Sequence, residues 1–200
     1  MNLISNLIED YLQSSKYIDC KNPDVLKLAD SFYEKSQNEI EFVKGIYHYV
    51  RDEIKHSWDV QDKRVTARAS QVLHEKVGIC WAKSNLLAAL LRARGIPTGI
   101  CYQRLTLGDI PDTGYCIHAL NAVYLKTIDK WIRIDARGNK EGVNAEFSIK
   151  EEQLAFTVRP DYGEVDYKEI YDEPIPITMQ ILEESTDALY MYLHSLPERL

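Results

Sequence analysis

The chain has 200 residues, with 24 Lys+Arg against 31 Asp+Glu, five His and a formal net charge of −7. That length suits one domain with a core of its own, and 45% hydrophobic with 28% charged residues is an ordinary globular composition. The acidic balance argues against nucleic acid or an anionic membrane as partner, and nine Gly and seven Pro exclude a collagen-like or low-complexity chain.

Four cysteines, Cys20, Cys80, Cys101 and Cys116, form no C-x-x-C pair, which speaks against a zinc ribbon or a thioredoxin-type motif. They are also too few for a disulfide scaffold. The opening MNLISNLIED lacks a positively charged start and reaches Glu9-Asp10 early, so it does not read as a signal peptide. The longest apolar run, near Leu86 to Leu91, is far short of the roughly 20 residues that span a bilayer. These features lead us to expect a soluble, reduced, cytoplasmic protein.

The first sixty residues read as helical. Leu3, Ile4, Leu7, Ile8, Tyr11 and Leu12 follow an amphipathic stripe. Pro23 suits the first position of a second helix, whose face is Val25, Leu26, Leu28, Ala29, Phe32 and Tyr33. Ser36-x-x-Glu39 resembles a capping box for a third, with Ile40, Val43, Ile46, Tyr47, Val50 and Ile54 inward and an end near His56-Ser57. Residues 58–70 read as an irregular connector and Ser70–Glu75 as a short helix broken by Gly78. Cys80 to Arg94 is helical and apolar over most of its circumference, so it belongs at the centre of the fold. Gly95 and Pro97 close it.

The texture then turns to strands. Thr98–Thr106 is β-branched and aromatic, residues 107–114 read as a loop, and Tyr115–Leu125 and Trp131–Asp135 pair across Lys126 to Lys130. Further on, Leu154–Val158 reads as a strand and Pro176–His194 as a closing helix. The order predicts one α+β domain over 1–200, with a helical part at 1–57, a core at 58–140 and a closing segment at 141–200.

Gly78-Ile79-Cys80-Trp81 stands out because it puts a cysteine in the first turn of the central helix. There the macrodipole and unpaired backbone N–H groups favour a thiolate over a thiol. The same N–H groups, those of Cys80 or Trp81, are placed to hold an oxyanion. Set against this, most cysteines are small buried hydrophobes. A thiolate nucleophile needs a base. His48, His56, His74 and His194 read as surface or half-buried helix residues. His118, by contrast, sits inside a strand of small and apolar residues, where a buried ring needs a partner. A hairpin turning at Lys126-Thr127 opposes His118 to Asp135 and Ala122 to Trp131, and directly opposed residues share a face. A slip of two keeps His118 and Asp135 together diagonally, whereas a slip of one parts them. Trp58, Gln71 and Tyr115 are candidates for a substrate cleft, with Tyr102 beside them. Arg92, Arg94 and Arg104 read as a solvated face, and Cys101 and Cys116 as inert core thiols. No metal site is expected.

The motif Gly78-Ile79-Cys80-Trp81-Ala82, opening a Leu-rich helix that ends Leu90-Leu91-Arg92-Ala93-Arg94-Gly95-Ile96-Pro97, resembles the core of the transglutaminase-like superfamily. His118-Ala119 and Trp131-Ile132-Arg133-Ile134-Asp135 match its later motifs in the same order, and the resemblance spans about residues 40–140. It implies a papain-like α+β core: a central helix carrying the Cys, packed on a small antiparallel sheet carrying His and Asp, with N-terminal helices. It also implies Cys80 as nucleophile, His118 as base, Asp135 as its orienter, the Trp81 N–H at the oxyanion, and a thioester intermediate. No calcium loop is visible and no cofactor is expected. The expected activity is hydrolysis of a peptide or small amide, since the chain gives no sign of amine selection. Transfer to an amine and a non-catalytic binding domain are the alternatives. The oligomeric state stays open.

Overall fold

The computed structural model describes residues 1–108 and 110–200. Residue 109, inside the expected 107–114 loop, lies outside the described residues. The described chain runs β1 (Asn2–Leu3), α1 (Pro23–Tyr33), α2 (Glu39–Glu53), β2 (Lys55–His56), α3 (Ala69–Glu75), β3 (Val77–Gly78), α4 (Cys80–Arg92), β4 (Thr98–Thr106), β5 (Tyr115–Leu125), β6 (Lys130–Ile134), β7 (Val165–Asp166), β8 (Glu169–Ile170), α5 (Pro176–Glu184) and α6 (Ala188–His194). It is an α+β architecture. Helices pack on a four-stranded antiparallel sheet of order β6-β5-β4-β7.

The amphipathic stripe at 3–12 does not make an α-helix. Asn2–Leu3 instead pairs in parallel with β8, and Ile8–Leu12 is a 3-10 turn in which only Tyr11 is buried. Ile4 and Leu7 stay exposed. A stripe this short is marginal as a helix in water. Here the Ser5 side chain also competes for local bonds, donating to the Asp10 carboxylate and accepting from the Leu7 N–H.

α1 starts as expected, with Pro23 in its first turn and the Asn22 side chain accepting from the Asp24 N–H. The cap of α2 is shifted. Asn38, not Ser36, accepts from the Glu41 N–H, while the Glu41 carboxylate accepts from the Gln37 N–H. Ser36 donates back to the Phe32 carbonyl at the end of α1. α2 also stops at Glu53, so His56 lies on β2, alongside β3, rather than on a helix.

α4 is the centre of the fold, buried at every position from Trp81 to Arg92. Two of its polar side chains, Lys83 and Arg92, close backbone ends. Lys83 donates to the carbonyls of Arg51 and Ile54 at the end of α2. Burial lowers the Lys83 ammonium to about 7, and Arg137 adds to the effect. Arg92, expected on a solvated face, is buried and donates to the carbonyls of Thr98 and Gln13. Gly78 lets α4 begin this close to its neighbours, because a Cβ there would stand 2.8 Å from Thr66 Oγ1 and 3.0 Å from the Ala82 Cβ.

The β5–β6 hairpin is two residues longer round its turn than expected. Tyr124 opposes Trp131 and Ala122 opposes Arg133. Residues 126–128 form a 3-10 turn and Asp129 adopts φ 49°. The Glu39 carboxylate holds this turn through the N–H groups of Lys126 and Thr127. Asp135 therefore falls just past β6, diagonal to His118 rather than opposite it.

The tail departs furthest from the sequence reading. Leu154–Val158 is not a strand; next to it Gln153 makes one isolated bridge to Glu146. The expected helix at 176–194 is two helices. Asp187 breaks it by accepting from the N–H groups of Leu189 and Tyr190, which starts α6.

Candidate active site

A cleft of about 910 Å³ opens where the start of α4 meets β5 and the tail. Cys80, Trp81, His118, Trp58, Phe156 and Tyr192 are among the residues lining it. α4 presents Cys80 as its first residue. The first helical bond runs from the Lys83 N–H to the Ile79 carbonyl, 3.0 Å, which leaves the N–H groups of Cys80, Trp81 and Ala82 ahead of it. The Trp81 indole is anchored separately, donating to the Ile117 carbonyl at 2.8 Å, so it ties the helix start to β5.

His118 and Asp135 are both buried, at 4% and 0% exposure. His118 Nε2 and Asp135 Oδ2 lie 2.8 Å apart. The Asp135 carboxylate is fully engaged. Its Oδ2 also accepts from the Ala155 N–H and its Oδ1 from the Arg137 N–H, each at 3.1 Å. Burial by itself would raise this carboxyl, but His118 and the two backbone N–H groups outweigh it and hold it low. For His118 the balance runs the other way. Burial alone would depress the imidazole, yet Asp135 and the neighbouring Cys80 sulfur lift it to about 10. Phe156 packs edge-on against the ring at 5.1 Å and closes it from the tail side.

The cleft has a second polar group on its flank. Arg137 pairs with Asp59 through Nη2 at 2.9 Å, and Lys140 joins the same carboxylate at 2.8 Å. Burial would raise Asp59, but the two cations outweigh it and take it down to about 2. Trp58 stacks on Tyr192 with ring centroids 4.3 Å apart and planes 14° apart, which forms an aromatic wall.

Of the residues singled out in the sequence, Cys80, His118, Trp81 and Trp58 therefore line one cleft, with Asp135 buried behind His118. Gln71 does not join them; it is exposed, and its side chain braces the backbone of Ala67 and Val65. Tyr115 is also outside the lining, its hydroxyl donating to the Tyr162 carbonyl with Arg104 over its ring. Tyr102 is buried, its hydroxyl accepting the Ile175 N–H. Cys101 is buried as expected, and burial pushes its thiol up to about 12. Cys116 is half-buried and lines the cleft, two residues before His118 on the same face of β5; burial likewise lifts it to about 12. The sequence reading missed His56, Phe156 and Tyr192. No local pattern signals any of the three: β2 is only the two residues Lys55–His56, too short for an alternating pattern.

The family described as the transglutaminase-like superfamily matches residues 26–136, which is 111 of the 200. Among solved structures the chain is similar to a candidate cysteine protease from Cytophaga hutchinsonii, with 22% identity, 67% of this chain and 43% of that chain covered, and a TM-score of 0.54. It is also similar to the periplasmic domain of TgpA from Pseudomonas aeruginosa, with 18% identity, 63% and 45% covered, and a TM-score of 0.48. The chain spans less than half the length of either neighbour, and the first likeness, at this identity, is one of fold. No curated protein matches the chain.

Proposed function

The chain belongs to the transglutaminase-like superfamily, and from that premise we propose that it is a cysteine acyl hydrolase cleaving a peptide or small amide bond through a thioester. The observation that carries this reading is the buried 2.8 Å contact between His118 and Asp135, with Cys80 beside the same imidazole. Asp135 fixes which ring nitrogen faces it and keeps the ring charged, so a thiolate at Cys80 has a counter-ion in place.

In this mechanism the Cys80 sulfur attacks the carbonyl carbon. The carbonyl electrons move onto oxygen, and the Trp81 N–H at the start of α4 donates a hydrogen bond to that oxyanion. Collapse expels the amine, which takes its proton from His118. His118 then draws a proton from water, and the resulting hydroxide releases the acid from the thioester. Among the described residues no helix is long and apolar enough to cross a membrane. Four free thiols, two of them lining the cleft, favour action in a reducing compartment such as the cytoplasm.

The test is mass spectrometry of the intact chain after exposure to a peptide and amide library, with Cys80→Ala as control. An acyl adduct on Cys80 that decays in water supports hydrolysis. An adduct that decays only when a labelled amine is added, with the label incorporated, would favour transfer. Turnover unaffected by Cys80→Ala overturns the reading.

A further inference from the structure

His56 ends β2, and β2 lies parallel to β3 with His56 opposite Gly78. β3 in turn leads through Ile79 directly into Cys80. The Ser57 N–H donates to the Gly78 carbonyl at 3.3 Å and locks the two strands together. The His56 ring thus flanks the start of α4, across from β5. It lines the cleft, is only 6% exposed, and meets Tyr192 edge-on at 6.5 Å. Its Nδ1 is sealed from solvent and has no hydrogen-bond partner among the described residues.

A buried N–H without an acceptor is rarer and costlier than a buried lone pair without a donor. The neutral ring therefore keeps Nδ1 as the bare lone pair and carries its proton on Nε2, in a residue that lines the cleft. Burial, and after it the Arg137 guanidinium, keep the ring from taking a second proton. The result is a buried, uncharged N–H donor beside the start of α4.

We propose that His56 is a further catalytic residue, whose Nε2–H donates to the substrate carbonyl oxygen while the Cys80 sulfur attacks. This rests on Cys80 being the nucleophile. As the sulfur–carbon bond forms, the carbonyl electron pair moves to oxygen, which accepts from His56 and from the Trp81 N–H. When the carbonyl re-forms, the bond to the leaving group breaks and its electrons depart with that group. His56 keeps its proton throughout and supplies only a preorganised dipole.

Two reagents separate this role from a structural one. p-Nitrophenyl acetate acylates a thiolate through an oxyanion and releases p-nitrophenolate. Iodoacetamide alkylates it by displacing iodide from a saturated carbon and forms no oxyanion. His56→Phe keeps a ring and removes the donor, while His56→Gln keeps an N–H. In the full chain, His56→Phe is expected to slow acylation of Cys80 about 100-fold while alkylation stays within about twofold, and His56→Gln to recover part of the acylation. Unchanged acylation in His56→Phe, or an equal fall in both rates, overturns the proposal. A wild-type Cys80 that alkylates no faster than Cys20, Cys101 and Cys116 sinks the nucleophile assignment and the role of His56 with it. A wrong role for His56 alone shows only in the ratio of the two rates.

Discussion

The β5–β6 wall and the β2 wall of the cleft each hold one buried imidazole, and they charge them oppositely. On the first wall, His118 has the Asp135 carboxylate at 2.8 Å and is lifted to about 10. On the second, His56 is driven well below its ordinary value by burial and then by Arg137, which together outweigh the opposing pull of Asp59, a carboxylate already paired with Arg137 and Lys140. Burial acts on both in the same direction. The difference comes from the charges around each ring, Asp135 and Cys80 at His118 and chiefly Arg137 at His56, and it suits one ring to proton transfer and the other to donating a hydrogen bond without titrating.

The comparison breaks most completely at His118. His118→Ala removes the counter-ion of Cys80, and the rate of p-nitrophenyl acetate acylation at pH 7 is expected to fall by 10³-fold or more, on the order of losing a catalytic base. Asp135→Asn leaves a ring without its orienter, for which a fall of roughly 10²–10⁴-fold is expected.

The same variant reports on stability. His118 is raised above its ordinary 6.5, so its contribution is complete below that pH and is lost as the pH climbs toward 10. Asp135 is lowered below 3.8, so its contribution is complete above that value and is lost as the pH falls through its folded range. The Tm advantage of wild type over Asp135→Asn should peak between these two values and shrink on either side. At its peak it should reach about 3 kcal/mol, or roughly 6–12 °C.

Phe156→Ala opens the edge of the His118 ring. It is expected to cost about 3 kcal/mol or less in stability, since Phe156 is only half-buried, and to slow acylation by about tenfold. Its alkylation rate at pH 6 should change little if Asp135, rather than the apolar cover, sets the charge on His118. Smallest are Gln71→Ala and Tyr115→Phe, which lie off the cleft and should leave both reaction rates within about twofold of wild type.

The two walls also differed in how far they could be read from sequence. α4, β4 and β5 carry strong local patterns: a helix apolar all round, then runs of β-branched and aromatic residues, and the structure gives them nearly the expected bounds. The His118–Asp135 pair was legible because side-chain direction in a strand repeats every two residues, so a two-residue error in the turn left both on one face. A one-residue error would have hidden it. His56 was not legible, because the helical stripe of α2 runs on past Glu53 to Ile54, and only the tertiary pairing with β3 ends the helix in time to make a strand. Phe156 and Tyr192 come from the tail, where no local pattern says which distant surface a segment will cover. Gln71 was misplaced because an exposed amide on a short helix has the same sequence signature whether it faces a cleft or braces its own helix start.

The opposite charging of the two rings can be read directly by NMR titration of 15N-labelled histidine. The expected result is an imidazolium at His118 that persists from pH 5 toward pH 10, beside a His56 that stays neutral over the whole range. A His118 that loses its proton near 6.5, or a His56 that gains one there, would contradict the account.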